Sequence, residues 1–165
     1  MHIKDIRVTP LRLETKVPYV WSQGVEHAFT VNLIEMEAED GTVGHGETTT
    51  APDADAQKVV LLKMAQSYLG RDIFDISAAQ EDAYRRHFLV YGGNMQRYAN
   101  QLFSGLEMAA LDLQGKCLGR PAWELLGGER RTEVGYFYFL QGQSTEALAA
   151  DAKAKWPVQC VMRWN

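Results

Sequence analysis

Between Asn94 and Leu118 the apolar residues Met95, Tyr98, Ala99, Leu102, Leu106, Ala109, Ala110, Leu113 and Cys117 recur at spacings of three and four. That interval matches the ~3.6-residue repeat of an α-helix and draws one apolar stripe along six to seven turns, which predicts a long core helix. The stripe stops at Gly119, with Pro121 two residues on, the punctuation of a helix C-terminus. Pro121–Leu126 reads as a further short helical turn, and Gly127–Arg131 as a linker.

Ahead of this helix the pattern is that of strands. Ile6, Val8, Leu11 and Leu13 alternate, interrupted by Pro10, which suits a strand near a sheet edge. Phe29–Glu37 alternates well, Asp40-Gly41 is a hairpin signal, and Thr42–Thr49 can return as a partner, giving a three-stranded antiparallel meander. Lys16–His27, with Pro18, Gly24, Tyr19 and Trp21, has neither period and reads as a loop. After Pro52 the pattern turns helical through Val59, Leu62, Met64, Ala65 and Leu69 to Gly70, and a second helix runs from Ser77 as N-cap to about Val90. The last 34 residues change again: Glu133–Leu140 is nearly continuously apolar, as for a strand buried on both faces of a parallel sheet, Ser144 caps a helix to about Trp156, and Val158–Trp164 can form a second strand.

Charge narrows the function classes. Lys and Arg number 17 against 21 Asp and Glu, a formal net charge of -4, which is unfavourable for a nucleic-acid binder. The pairs Arg85-Arg86 and Arg130-Arg131 lie near acidic residues and read as solvated helix surface and linker. No run approaches the ~18 apolar residues of a membrane span. The two cysteines, Cys117 and Cys160, lack a C-x-x-C spacing, so a reducing, cytoplasmic setting is expected.

No residue pattern marks a catalytic centre. None of His2, His27, His45 and His87 has a histidine partner at i, i+4, so zinc spacings are absent, and neither G-x-S-x-G nor a P-loop occurs. Gly44-His45-Gly46-Glu47 reads as a strand end whose glycines allow close packing. Glu107 and Asp112, five residues apart, sit about 140° apart around one helix and cannot both face one metal from it. Asp112 and Lys116 are an i, i+4 ion pair.

The run Gly105-Leu106-Glu107-Met108-Ala109-Ala110-Leu111-Asp112-Leu113-Gln114-Gly115-Lys116-Cys117-Leu118-Gly119-Arg120-Pro121, followed by Glu124-Leu125-Leu126-Gly127-Gly128, resembles a signature of the mandelate racemase and muconate lactonizing enzyme group of the enolase superfamily. The resemblance covers roughly residues 1 to 155 and implies an α+β fold: a meander followed by a helical bundle as an N-terminal capping domain over 1–128. The first βα unit of an incomplete (β/α) barrel would occupy 129–165. Glu107, Asp112, Gly115, Lys116, Gly119 and Pro121 carry the signature as structural residues. The family's cap supplies two specificity loops, which match by position Tyr19, Trp21 and Ser22 in the first and Thr48, Thr49 and Thr50 in the second.

Complete members hold a lysine base and three magnesium-binding carboxylates on later barrel strands, abstract the proton α to a carboxylate and stabilise the enediolate on the metal. The substrate implied is a small carboxylate or acid sugar, and the assembly implied is a homo-oligomer without nucleic-acid or membrane partners. Only 37 residues follow Gly128 here, against ~200 or more for a barrel, and Val158–Asn165 contains no lysine. A truncated or frame-shifted product, inactive alone and without catalytic residue, metal or cofactor of its own, is one expectation. The alternative is a non-catalytic interaction module or subunit that pairs with another chain.

Overall fold

The computed structural model describes residues 1–49, 53–89, 92–135, 139–155 and 161–163, which gather into two compact units: Met1–Leu13 with Thr30–Gly127, and Glu14–Phe29 with Gly128–Asn165. One three-stranded sheet is ordered β1 (Ile3–Trp21), β2 (Gly24–Ala38), β3 (Val43–Thr49), so the two outer strands are edges. In the first unit the two-residue period sends Ile6, Val8, Ile34, Met36, Ala38, Gly44 and Gly46 to a buried face. Arg7, Glu35, Glu37, His45 and Glu47 alternate with them. β2 and β3 pair antiparallel with Leu33 opposite Glu47 and Glu35 opposite His45. Their connection realises the Asp40-Gly41 signal: Gly41 takes φ 85°, and the Thr42 N–H donates to Asp40 Oδ1 at 2.9 Å.

The third helix packs on β3 over the buried face, the first reaches it through Gln57, and the second packs against the other two. α1 (Ala54–Ala65) begins at Asp53, whose Oδ1 accepts the Ala56 N–H at 2.7 Å, a side-chain N-cap. Its buried residues are Ala54, Gln57, Leu61, Met64 and Ala65, whereas Val59 and Leu62, which the helical reading picked out, are 56% and 36% exposed. The polar Gln57 on the inner face is what displaces the apparent stripe. α2 (Ile76–His87) starts at Asp75 with Ser77 already inside its first turn, so the expected cap at Ser77 is corrected. Its outer face carries Arg85 bonded to Glu81 and Arg86 to Asp82, solvated i, i+4 pairs as expected. Val90 lies outside the described residues.

α3 (Gly92–Leu118) buries Ala99, Leu102, Leu106, Ala109, Ala110 and Leu113 of the predicted stripe, with Tyr98 and Cys117 partly buried; the Met95 side chain lies outside the described residues. Phe103 on its flank packs against Phe88, 6.0 Å between ring centroids, beyond the end of α2. The helix ends in a Schellman motif: Gly119 adopts φ 65°, its N–H donates to Lys116 O at 3.2 Å, and the Arg120 N–H donates to Gly115 O at 2.8 Å. α4 (Ala122–Leu125) follows Pro121.

The second unit departs most from expectation. Lys16–His27 is no loop: β1 continues to Trp21, Ser22 and Gln23 turn, and β2 begins at Gly24. Backbone pairing carries this extension, and no residue of 14–29 on either face is buried, so the sequence shows no alternation. Within Glu133–Leu140, of which 136–138 lie outside the described residues, Glu133–Gly135 form β4, paired antiparallel with β5 (Val161–Arg163), Glu133 opposite Arg163. The partner falls within Val158–Trp164 as expected, but the pairing is antiparallel where a parallel arrangement is expected, and Phe139 and Leu140 are exposed. α5 (Thr145–Lys155) is capped as predicted, the Ala147 N–H donating to Ser144 Oγ at 3.1 Å. Trp156 and Cys160 lie outside the described residues.

Candidate functional site

The signature resolves into a device for docking α3 on β3. A Cβ added to Gly44 would land on the Ala109 carbonyl oxygen, and one added to Gly46 on the Gly105 carbonyl oxygen. From the helix side a Cβ at Gly105 would strike Thr48 Cγ2. Backbones meet here at a distance only glycine permits, which bears out the close-packing reading of Gly44 and Gly46. Gly115 is equally constrained, since its Cβ would come within 2.6 Å of Arg120 O in the helix-ending motif.

Asp112 and Lys116 fasten the same contact. Their predicted ion pair exists at 2.6 Å, yet both also reach β3: Asp112 Oδ2 accepts the His45 N–H at 2.7 Å, and Lys116 Nζ donates to Val43 O at 2.8 Å. Lys116 Nζ also lies 3.1 Å from His45 Nδ1. Burial by itself would raise the Asp112 carboxyl, but the Lys116 ammonium and the His45 N–H outweigh it and hold the group below the usual carboxylate range. Glu107 points elsewhere, to an open groove between α2 and α3 bordered by Ser77, Tyr84, Asn100 and Phe103. The two carboxylates do not converge.

At the start of the segment joining β3 to α1 lies a buried polar cluster. Thr48 Oγ donates to Gln57 Oε1 at 2.6 Å, and Asn32 Nδ2 donates to Gln57 Oε1 at 2.9 Å and to Ala54 O at 3.0 Å. All three side chains are buried, so Thr48 belongs to β3 and the core. The Thr49 backbone closes β3, and Thr50 lies outside the described residues. Sequence reasoning missed Asn32 and Gln57, although a glutamine spaced four residues before Leu61 on the inner face of α1 was the available signal.

In the second unit the extended hairpin is an aromatic arm. Tyr19 meets Phe29 edge-on at 5.7 Å between centroids, Thr15 Oγ donates to His27 O at 3.0 Å, and Ser22 sits in the turn beside the half-exposed Trp21. The Val20 N–H donates to Gln141 Oε1 at 3.0 Å. No feature of the sequence singled out Gln141.

These residues do not suit a divalent metal. Among the described residues no three His, Cys, Asp or Glu side chains are grouped so that they could hold a metal ion, and Glu37 and Glu35 are already engaged: Glu37 by Lys4 at 2.7 Å and Arg7 at 2.9 Å, Glu35 by Arg7 at 3.6 Å. Among the same residues no helix is long and apolar enough to cross a membrane.

A meander covered by helices, docked through a glycine-lined strand and a signature helix, defines an α+β capping domain of the enolase type. The model of the mandelate racemase / muconate lactonizing enzyme N-terminal domain matches residues 3–127, and the chain belongs to that family. It is 35% identical over 153 residues to the "Probable glucarate dehydratase" of Streptomyces coelicolor, covering 84% of this chain and 34% of that protein. It is 33% identical over 102 residues to the D-gluconate dehydratase of Thermoproteus tenax, covering 62% of this chain and 20% of that one. Among solved structures, the muconate lactonizing enzyme of Pseudomonas fluorescens complexed with muconolactone superposes with TM-score 0.78 at 30% identity, over 93% of this chain and 41% of that one. The N-succinyl Arg/Lys racemase of Bacillus cereus gives TM-score 0.81 at 21% identity, over 95% and 42%, and shares the fold. The chain thus spans about a third or less of the length of these curated relatives.

Proposed function

We propose that this polypeptide is the capping part, residues 1–128, of an acid-sugar dehydratase or related racemase, with 129–165 contributing the start of its barrel. The observation that carries the reading is the 35% identity with the Streptomyces coelicolor protein across 153 residues, 84% of this chain. The arm with Tyr19, Trp21 and Ser22 is one substrate-facing segment. Thr48, its hydroxyl taken by Gln57, anchors the second, which Thr49 and Thr50 continue. The proton-abstracting base and the magnesium ligands belong to barrel strands beyond this sequence, and the 165 residues alone do not turn over substrate. The same reading makes the assembled enzyme a cytoplasmic homo-oligomer acting on a small hydroxy acid.

The test is an assay of keto-acid formation from glucarate, gluconate and galactonate, with and without magnesium chloride. It compares the 165-residue chain with the same chain extended by a relative's barrel. Magnesium-dependent turnover is expected of the extended chain alone. Turnover by the 165-residue chain would overturn the assignment of base and metal to the barrel.

A further inference from the structure

We propose that Gln141 is a positioning residue for the aromatic arm, an uncharged acceptor that fixes where Tyr19 and Trp21 stand. β1 is an edge strand, so an N–H turned away from β2 finds no partner in the sheet. The Val20 N–H belongs to the peptide joining Tyr19 to Val20, directly before Trp21, and it is given to Gln141 Oε1 at 3.0 Å across 121 residues of sequence. Fixing that peptide orients the side chains on both sides of it, because successive residues of a strand point to opposite faces.

Gln141 is itself held. Its N–H donates to Asp151 Oδ2 at 2.9 Å, one turn and a half into α5, and both residues are partly buried. The next residue, Gly142, lies so near the first turn of α5 that a Cβ there would stand 2.9 Å from Ala147 Cβ and from Leu148 N. The Ser144 cap closes the same short loop. A relay therefore runs from a helix through a glutamine to the arm. Its functional half rests on the reading of the arm as a substrate-facing segment; its geometric half does not.

Amide hydrogen exchange on the 165-residue chain separates the two halves. Gln141→Met keeps the length and removes the acceptor, and should raise exchange of the Val20 amide about three- to tenfold, the net worth of one hydrogen bond. Core amides such as Ile34 and Leu106 should stay unchanged. Gln141→Glu keeps an acceptor and should restore protection at Val20, and Asp151→Ala should loosen it by a smaller factor than Gln141→Met. Unchanged exchange at Val20 in Gln141→Met overturns the proposal, as does an equal rise at Ile34, which would make Gln141 a general stabiliser. In the barrel-extended enzyme Gln141→Met should raise KM for the preferred acid sugar while leaving kcat nearly unchanged. If Val20 exchange responds but no acid sugar is turned over by the extended parent, the relay stands and the acid-sugar reading falls.

Discussion

Where β3 meets α3 the backbones approach so closely that Gly44, Gly46 and Gly105 are required, whereas along Glu14–Phe29 large side chains stand open to solvent. The first region has no slack: a carbon added to Gly44 or Gly46 meets a backbone carbonyl oxygen, and one added to Gly105 meets the Thr48 methyl. Interiors packed at crystal-like density behave this way. The arm's described contacts are backbone pairing, the edge-on meeting of Tyr19 and Phe29, the Thr15–His27 hydrogen bond and the Gln141 latch, while Val17 and Trp21 stand exposed. Tight packing and exposed side chains thus fall in different residues of this chain.

Breaking the rigid side of the contrast should cost most. Leu106→Ala or Leu113→Ala, each opening a cavity under the stripe, should destabilise by about 2–5 kcal/mol in urea melts. A loss below measurement error would mean that the stripe does not face the core. Gly46→Ala comes next, at about 1–3 kcal/mol, because its Cβ has only helix backbone to push against.

Asp112→Ala removes the His45 and Lys116 partners and should cost about 1 kcal/mol at pH 7, below the usual range for a charged hydrogen bond because the pair is half exposed. The sign with pH follows from its lowered carboxyl: the contribution is complete above the unfolded value of ~3.9 and fades as pH falls through the lower folded value. The difference between parent and variant should therefore shrink below about pH 4. At the other extreme, Trp21→Ala and Tyr19→Ala should shift stability by less than about 0.5 kcal/mol while altering substrate preference in the extended enzyme. Unfolding by either would erase the contrast.

How far the sequence spoke depends on whether a residue's partner is local. α3 was legible from Ala99 to its end because its stripe and the punctuation at Gly119 and Pro121 are read within one local stretch of sequence. The meander was legible wherever one face is buried, as at Ile34, Met36 and Ala38, and illegible along the arm, where Val17 and Trp21 are both exposed. α1 misled because its buried face includes Gln57, whose partners Asn32 and Thr48 lie on other elements. Asp112 and Lys116 were read as a pair, but their bonds to His45 and Val43 join residues about 70 positions apart, which no spacing rule reaches. Gln141, 121 residues from Val20, was beyond reach for the same reason.

The alternating glycines of β3 and the buried threonine beyond them also decide which strand pairing can exist at all. A slip of one residue against β2 would swing His45 and Glu47 onto α3, where not even a methyl group fits. A slip of two would keep one glycine in place but bring Thr42 or Thr48 against the helix, and would carry the Thr48 hydroxyl away from Gln57. Steric exclusion removes the odd misalignments and the buried hydrogen bond removes the even ones, so the nascent sheet has one alignment on which α3 can settle.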